Sequence, residues 1–334
     1  MGSAQQYIDI FNQCRDMICK HSSALMNSKR DEAFEAFQRV GFPTKKVERY
    51  KYTDIEALFA PNYGLNLNRL DIPVNPYDAF KCDVPNMSTS LYFVVNDAFY
   101  RKALPKAELP EGVFVGSLAD FSDHAAFGKV SAMYCQLADD KDAITSLNTM
   151  LAQDALLIYF PKGVKVDRTL QVINILRSDV DLMVNRRVLI YLEDRADARI
   201  LFCDHAADDR NFLTTQVVEV MVGDGAHLDM TCLEETHYKN VRVSNVYIHQ
   251  QANSRVDHNV ITLHNGVTRN RTDLVFSGEG AECYMNGCTI EDRQQHVDNN
   301  TLIDHRVPHC SSQELYKYVV DEQAVGAFAG RVLV

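Results

Sequence analysis

GDGAHL, residues 223–228, is the joint between two strand-like runs, TQVVEVMV (215–222) and HLDMTCLEE (227–235). Joints of the same make recur as RADARI (195–200), QANSRV (251–256) and GEGAEC (278–283). Aligning their small residues, Ala198, Ala226, Ser254 and Ala281, gives separations of 28, 28 and 27 residues. Equal spacing between β-rich runs is the signature of stacked coils, in which each repeat buries its apolar face on the next. A β-sandwich built of regular hairpins is the competing reading. The flanking runs, from LYFVV (91–95) to RVLV (331–334), are four to ten residues long and rich in Val, Ile, Thr and Tyr. Within 91–334 the only expected helix lies around 142–154. Without alternating strands and helices, a nucleotide-binding parallel sheet is a poor fit.

The first ninety residues have a different texture. Tyr7, Ile10, Phe11, Cys14, Met17 and Ile18 form a helical stripe. Ser28 with Asp31 predicts a capping box for a second helix, with Phe34, Phe37 and Val40 on its buried face and Gly41 and Pro43 as its stop. After a turn-rich stretch, a short helix is expected at 55–59. The expected division is therefore 1–90, helical and mixed, and 91–334, a β core.

Composition removes several function classes. The 334 residues are 46% hydrophobic and 24% charged, as in an ordinary globular protein. The net charge is −11 and no cationic run exceeds the pairs Lys45-Lys46 and Arg186-Arg187, so nucleic acid is not an expected partner. No apolar run reaches membrane-spanning length, and the N-terminus lacks the pattern of a secretory signal. Nine cysteines without CxxC spacing read as reduced thiols, which places the protein in the cytoplasm and makes the glycosylation matches at Asn86, Asn270 and Asn300 meaningless.

No phosphate loop, HExxH, GxSxG or dinucleotide fingerprint is present. What remains is weaker. His258 and His264, six apart on one strand, would share a face; Cys283 and Cys288, five apart, would not. Glu291, Asp292 and Asp298 could serve sugar chemistry as an acid and base. HRVPHCSSQELYK (305–317) concentrates His305, His309 and Cys310, whose imidazole and thiolate groups suit zinc or iron. Pro308 between the histidines rules out a helical i, i+4 chelate. Of these, His305 and Cys310 are the metal-ligand candidates.

The same segment carries a family resemblance. His305, Pro308, Cys310, Ser312, Gln313, Tyr316, Lys317, Phe328 and Gly330 follow the core motif of the SufB/SufD family of iron-sulfur cluster assembly proteins. GFPTKKVERYKYTDI (41–55) resembles the N-terminal signature of the SufD branch, with Tyr50 where that branch usually has tryptophan; the chain contains none. Residues 109–121 and 146–175 also resemble that branch. The resemblance implies a mainly β fold, a right-handed parallel β-helix (solenoid) with an N-terminal α-helical subdomain. It implies a non-enzymatic scaffold that pairs with a SufB-type homologue and a SufC-type ABC ATPase, or forms a homodimer when isolated. No resident cofactor is implied, only a transient iron-sulfur cluster in the full complex. A β-helix enzyme acting on carbohydrate and a metal-binding β-protein are the alternative functions. Family members continue past the Phe-x-Gly strand into a C-terminal helical segment bearing a Cys-x-His motif. Since the sequence stops at Val334, it is expected to be a piece of a longer protein that binds the ATPase poorly alone.

Overall fold

A computed structural model describes residues 2–79, 89–105, 108–139 and 141–334. Asn86, with the rest of residues 80–88, lies outside the described residues. The β core is a solenoid of about six turns with a helical region at its N-terminus. Each turn gives one strand to each of two eight-stranded sheets. The first sheet stacks Leu156–Phe160, Leu182–Leu192, Phe212–Val222, Val241–Gln250, Val267–Phe276, His296–His305 and Val325–Leu333 in parallel, with Phe114–Ser117 added antiparallel. The second stacks Thr89–Val95, Thr169–Leu176, Asp197–Ala206, His227–Glu235, Arg255–His264, Glu282–Glu291 and Ser311–Val320, with Ala98–Phe99 antiparallel at its start. Alternate residues of both sheets meet in the lumen, where Ile190, Val220, Ile248, Leu274 and Ile303 face a core that includes Ile200, Met230, Val256 and Met285.

The repeat has a dihedral cause. Gly163, Arg195, Gly225, Asn253, Gly280 and His309 all have φ between +54° and +73°, at separations of 32, 30, 28, 27 and 29 residues. A left-handed residue turns the chain sharply at one edge of the lumen, and Gly or Asn takes that conformation at least cost. In the four middle corners the residue that follows is small and sits in the narrow corner: Ala196, Ala226, Ser254 and Ala281 are all at most 1% exposed, whereas Val164 after Gly163 is half-buried. Register corrects one member of the expected series. Ala198 pairs with Leu228, so the counterpart of Ala226 is Ala196, and the first spacing is 30 rather than 28.

Other expectations shift as well. The stripe on the helix Ser3–Lys20 buries Tyr7, Phe11 and Ile18. The next long helix, Arg30–Val40, has Lys29 at its N-cap without a side-chain bond; Ser28 instead donates to the Leu25 carbonyl behind a separate short helix, Ala24–Asn27. Val40 is 44% exposed, while Gly41 (φ +62°) does terminate the helix. Helices Ile55–Phe59 and Ala143–Leu151 form where expected, each capped by an aspartate, Asp54 and Asp142. An unexpected helix, Phe127–Met133, and an unexpected strand, His296–His305, complete the core. HVDNN reads as a turn in the sequence because it carries too many polar residues for a strand. All of Asp298, Asn299 and Asn300 are nevertheless buried and hydrogen-bonded.

The outer face of the first sheet is covered by the helices and by the strap at residues 44–54. Phe42, Tyr50 and Ile55 are buried there. The Arg269 guanidinium lies 3.9 Å from the Tyr50 ring centre, and its Nη2 donates to the Arg49 carbonyl (2.7 Å). The Tyr50 hydroxyl donates to Asp142, which also receives Arg271 Nη1 (2.9 Å), and Thr53 donates to Asp298 (2.7 Å). The resemblance to the SufD signature thus falls on a strap whose aromatic position is a cation–π platform.

Candidate functional site at the end of the solenoid

Residues 305–317 form the last corner of the solenoid and the strand after it. His309 (φ +62°) is the left-handed corner residue, and Cys310 takes the place held by Ala281 one turn earlier, as the Glu282–Ser311 pairing requires. Its thiol donates to the Gly278 carbonyl at 3.4 Å and packs on the lumen core. His305 ends the preceding strand with its ring edge on Phe276 (4.6 Å) and Nε2 3.0 Å from Ser312 Oγ. The two ligand candidates therefore share a corner but have separate partners. Among the described residues no group of three or more His, Cys, Asp or Glu is arranged to hold a metal ion.

Of the rest of the motif, Tyr316 packs on the lumen core, while Gln313 and Lys317 are exposed. Tyr316 packs at a tilt against Phe328, ring centres 4.7 Å apart, and Gly287 beneath it leaves room for the ring: a Cβ there would lie 2.1 Å from it. Gly326 makes way for Tyr318 in the same manner. Within the described residues, Ser311–Val320 and Val325–Leu333 are the outermost strands of their sheets. Leu315, Val319, Phe328 and Val332 are between 41% and 62% exposed on them. Beyond them, neither sheet has a further strand among the described residues.

Behind this end the lumen holds a polar file for which the sequence reading has no counterpart. Arg186 Nε donates to the Asn96 carbonyl (2.8 Å) and its guanidinium pairs with Asp204. Arg242 lies 3.6 Å from both Asp204 and Glu234, and its Nη1 donates to Asn270 (2.9 Å). Asn270 donates to Asn299 (2.9 Å), Asn299 to the Tyr318 hydroxyl (2.7 Å), and Tyr318 to the Ala327 carbonyl (2.9 Å). The file thus links the first turn to the last. Its signal in the sequence is columnar: Asp204, Glu234, Thr262 and Thr289 share one register across four turns.

The acids of this file do not titrate alike. Burial raises Asp204, but the guanidinium groups of Arg186 and Arg242 outweigh it and hold Asp204 below the usual carboxylate range. Burial pushes Glu234 up to about 7, Arg242 opposing and Asp204 adding to the rise. Burial, with the charge of Glu234, lifts Glu291 to about 7 as well, and neither Glu291 oxygen has a hydrogen-bond partner among the described residues. Because the folded-state pKa of Glu234 exceeds its unfolded value, its contribution is undiminished below about pH 4.5 and is lost as the pH rises through about 7. The cost by pH 8 is on the order of 3 kcal/mol. Glu234→Gln keeps an oxygen for the Thr268 hydroxyl (2.8 Å). Its urea midpoint should exceed the parent's at pH 8 and match it below about pH 4.5; equal midpoints at pH 8 would refute the assignment.

The remaining candidates scatter. Glu291 faces the lumen, Asp292 lies on an exposed corner, and Asp298 is held beneath the strap by Thr53 and Asn300, so these carboxylates do not flank a common cleft. A β-bulge between Thr262 and His264 breaks the two-residue period, leaving His258 buried and His264 bonded to the Thr236 carbonyl. Cys283 is buried and Cys288 exposed, on opposite faces as expected. Asn270 and Asn300 are both buried. No helix of the described residues is long and apolar enough to cross a membrane.

Comparison with known proteins agrees with the motif. Residues 1–172 match the family profile "SufBD protein N-terminal region", and residues 175–334 match "SUF system FeS cluster assembly, SufBD core domain". An iron-sulfur cluster assembly SufBD family protein of Synechocystis is 21% identical over 95% of this chain and 71% of its own length. The iron-sulfur cluster assembly protein SufD of Escherichia coli is 23% identical over 88% of this chain and 66% of its own. A SufBD family protein of Staphylococcus epidermidis is 26% identical over 58% and 41%, respectively. The chain thus spans about two thirds of the length of the first two.

Proposed function

The chain belongs to the SufBD family of SUF-system iron-sulfur cluster assembly proteins, and on that premise we propose that it is a SufD-type scaffold subunit. In this reading it works in the cytoplasm, pairs with a SufB-type homologue and a SufC-type ATPase, and performs no chemistry of its own. The observation that supports the proposal is the match of residues 175–334 to the SufBD core profile, together with exposed Leu315, Val319 and Val332 on the last two strands described. A homologous solenoid offers the same strand spacing of about 4.8 Å, so two such ends can continue each other's hydrogen-bond ladders. Hydrolysis of ATP is assigned to the ATPase partner, and iron and sulfide are cargo of the whole assembly.

Coexpression of the full-length protein with SufB- and SufC-type counterparts, followed by purification and assay of iron and acid-labile sulfide, tests this. A stable complex carrying both is expected, and Val319→Asp with Val332→Asp should deplete the homologue from it. Failure to copurify with either counterpart would sink the proposal. A homodimer that persists in the presence of the SufB-type chain would count against the pairing.

A further inference from the structure

The strap explains only half of its own sequence. Phe42, Tyr50, Thr53 and Ile55 are buried and anchor it, whereas Lys45, Lys46, Val47, Lys51 and Tyr52 are exposed. Residues 45–52 hold four cations, Lys45, Lys46, Arg49 and Lys51, against the single carboxylate of Glu48, a local net of +3 on a chain of −11. The neighbouring acids are already engaged: Asp273 by Arg49 and Arg271, Asp298 by Thr53 and Asn300, and Asp54 by Lys45 at 3.6 Å. Lys46 and Lys51 have no ion-pair partner among the described residues. Between and beside them, Val47 and Tyr52 are each 47% exposed.

We propose that residues 45–52 are a docking patch for an acidic segment of a partner protein that also carries apolar side chains. The unpaired ammonium groups of Lys46 and Lys51 on a negative molecule attract an acidic chain to the strap. Val47 and Tyr52 offer the apolar and aromatic contact that turns an encounter into a complex. The backbone is already fixed by the Arg269–Arg49, Tyr50–Asp142 and Thr53–Asp298 bonds, so little ordering entropy remains to be lost on binding. The strap also reaches the strand His296–His305 through Thr53, which puts the patch beside the last turns of the solenoid. The inference stands on charge and exposure and is independent of the scaffold reading.

The test uses the full chain and a fluorescein-labelled oligo-glutamate peptide interrupted by leucines, read by anisotropy. Binding is expected, falling with added salt, weakened about tenfold in the double variant Lys46→Glu/Lys51→Glu and several-fold in Tyr52→Ala. All three side chains are exposed, so thermal melts of the variants should match the parent. No binding, or binding that the variants leave unchanged, overturns the proposal. So does preferential binding of a single-stranded oligonucleotide of equal charge, which would assign the patch to phosphate.

Discussion

Glu219→Ala destabilises the protein by about 3–5 kcal/mol or prevents its soluble accumulation. Glu219 and Arg187 face each other with no exposed side-chain surface, on neighbouring strands of the first sheet. Arg187 otherwise has Thr149 Oγ1 (2.9 Å), Cys135 Sγ (3.3 Å) and the Tyr134 ring (4.9 Å), none of which carries a full negative charge. The same carboxylate accepts the backbone N–H groups of Cys135, Leu137 and Ala138 at 3.0–3.2 Å, folding that loop onto the sheet. Removal strands a buried guanidinium and three donors together, and breaking a buried pair costs far more than the pair was worth. Glu219→Gln keeps only one of the two acceptor oxygens and turns its NH2 on the donors at the other, so it should recover only part of the loss. Urea denaturation of both variants checks this. A Glu219→Ala midpoint within about 1 kcal/mol of the parent would mean that the pair is not desolvated as described.

Gly278→Ala is expected to abolish folding of the last turns, while Gly163→Asn is tolerated. A Cβ at Gly278 would lie 2.0 Å from the Ala252 nitrogen and 2.6 Å from its Cα, backbone atoms of the preceding turn that cannot yield without opening the stack. Gly163 is the opposite case: φ is +72°, but no atom of the described residues lies within 4 Å of where a Cβ would sit, so only the dihedral preference is at stake. That costs about 1–2 kcal/mol for alanine and less for asparagine, which already serves at Asn253. Hydrogen exchange of the 278–334 amides should become fast in Gly278→Ala and remain slow in Gly163→Asn. Slow exchange in the former would show that the turns can spread to admit a methyl group.

Much of the solenoid is legible in the sequence. The apolar runs, the small residues at the joints and the motif at 305–330 each report a local demand: a lumen-facing strand, a left-handed corner, a glycine beneath an aromatic ring. The slips have equally local reasons. A fixed period points to Ala198 in place of Ala196 because turn length drifts from 32 to 27 residues, which misplaces the first member of the series. The strand at 296–305 is hidden because Asp298, Asn299 and Asn300 outvote Val297 and Ile303, and their polarity is matched by residues far away in sequence. Ser28 and Asp31 fit a capping box, yet the chain spends Ser28 on a shorter helix. For the site, the sequence locates His305 and Cys310 but cannot show that one bonds Ser312 and the other the preceding corner.

By itself the sequence determined a β-rich repeat of about 28 residues, the residue types at its corners and the family motif, because strand propensity, left-handed φ and corner volume are properties of single residues and their neighbours. Only the tertiary structure decided which polar groups enter the lumen and which serve the strap. A side chain on a strand reaches one face or the other according to register, and register is set by partners a full turn away. Asp204, Arg242 and Asn270 became one file, and Tyr50 met Arg269, when stacking brought those partners within bonding distance.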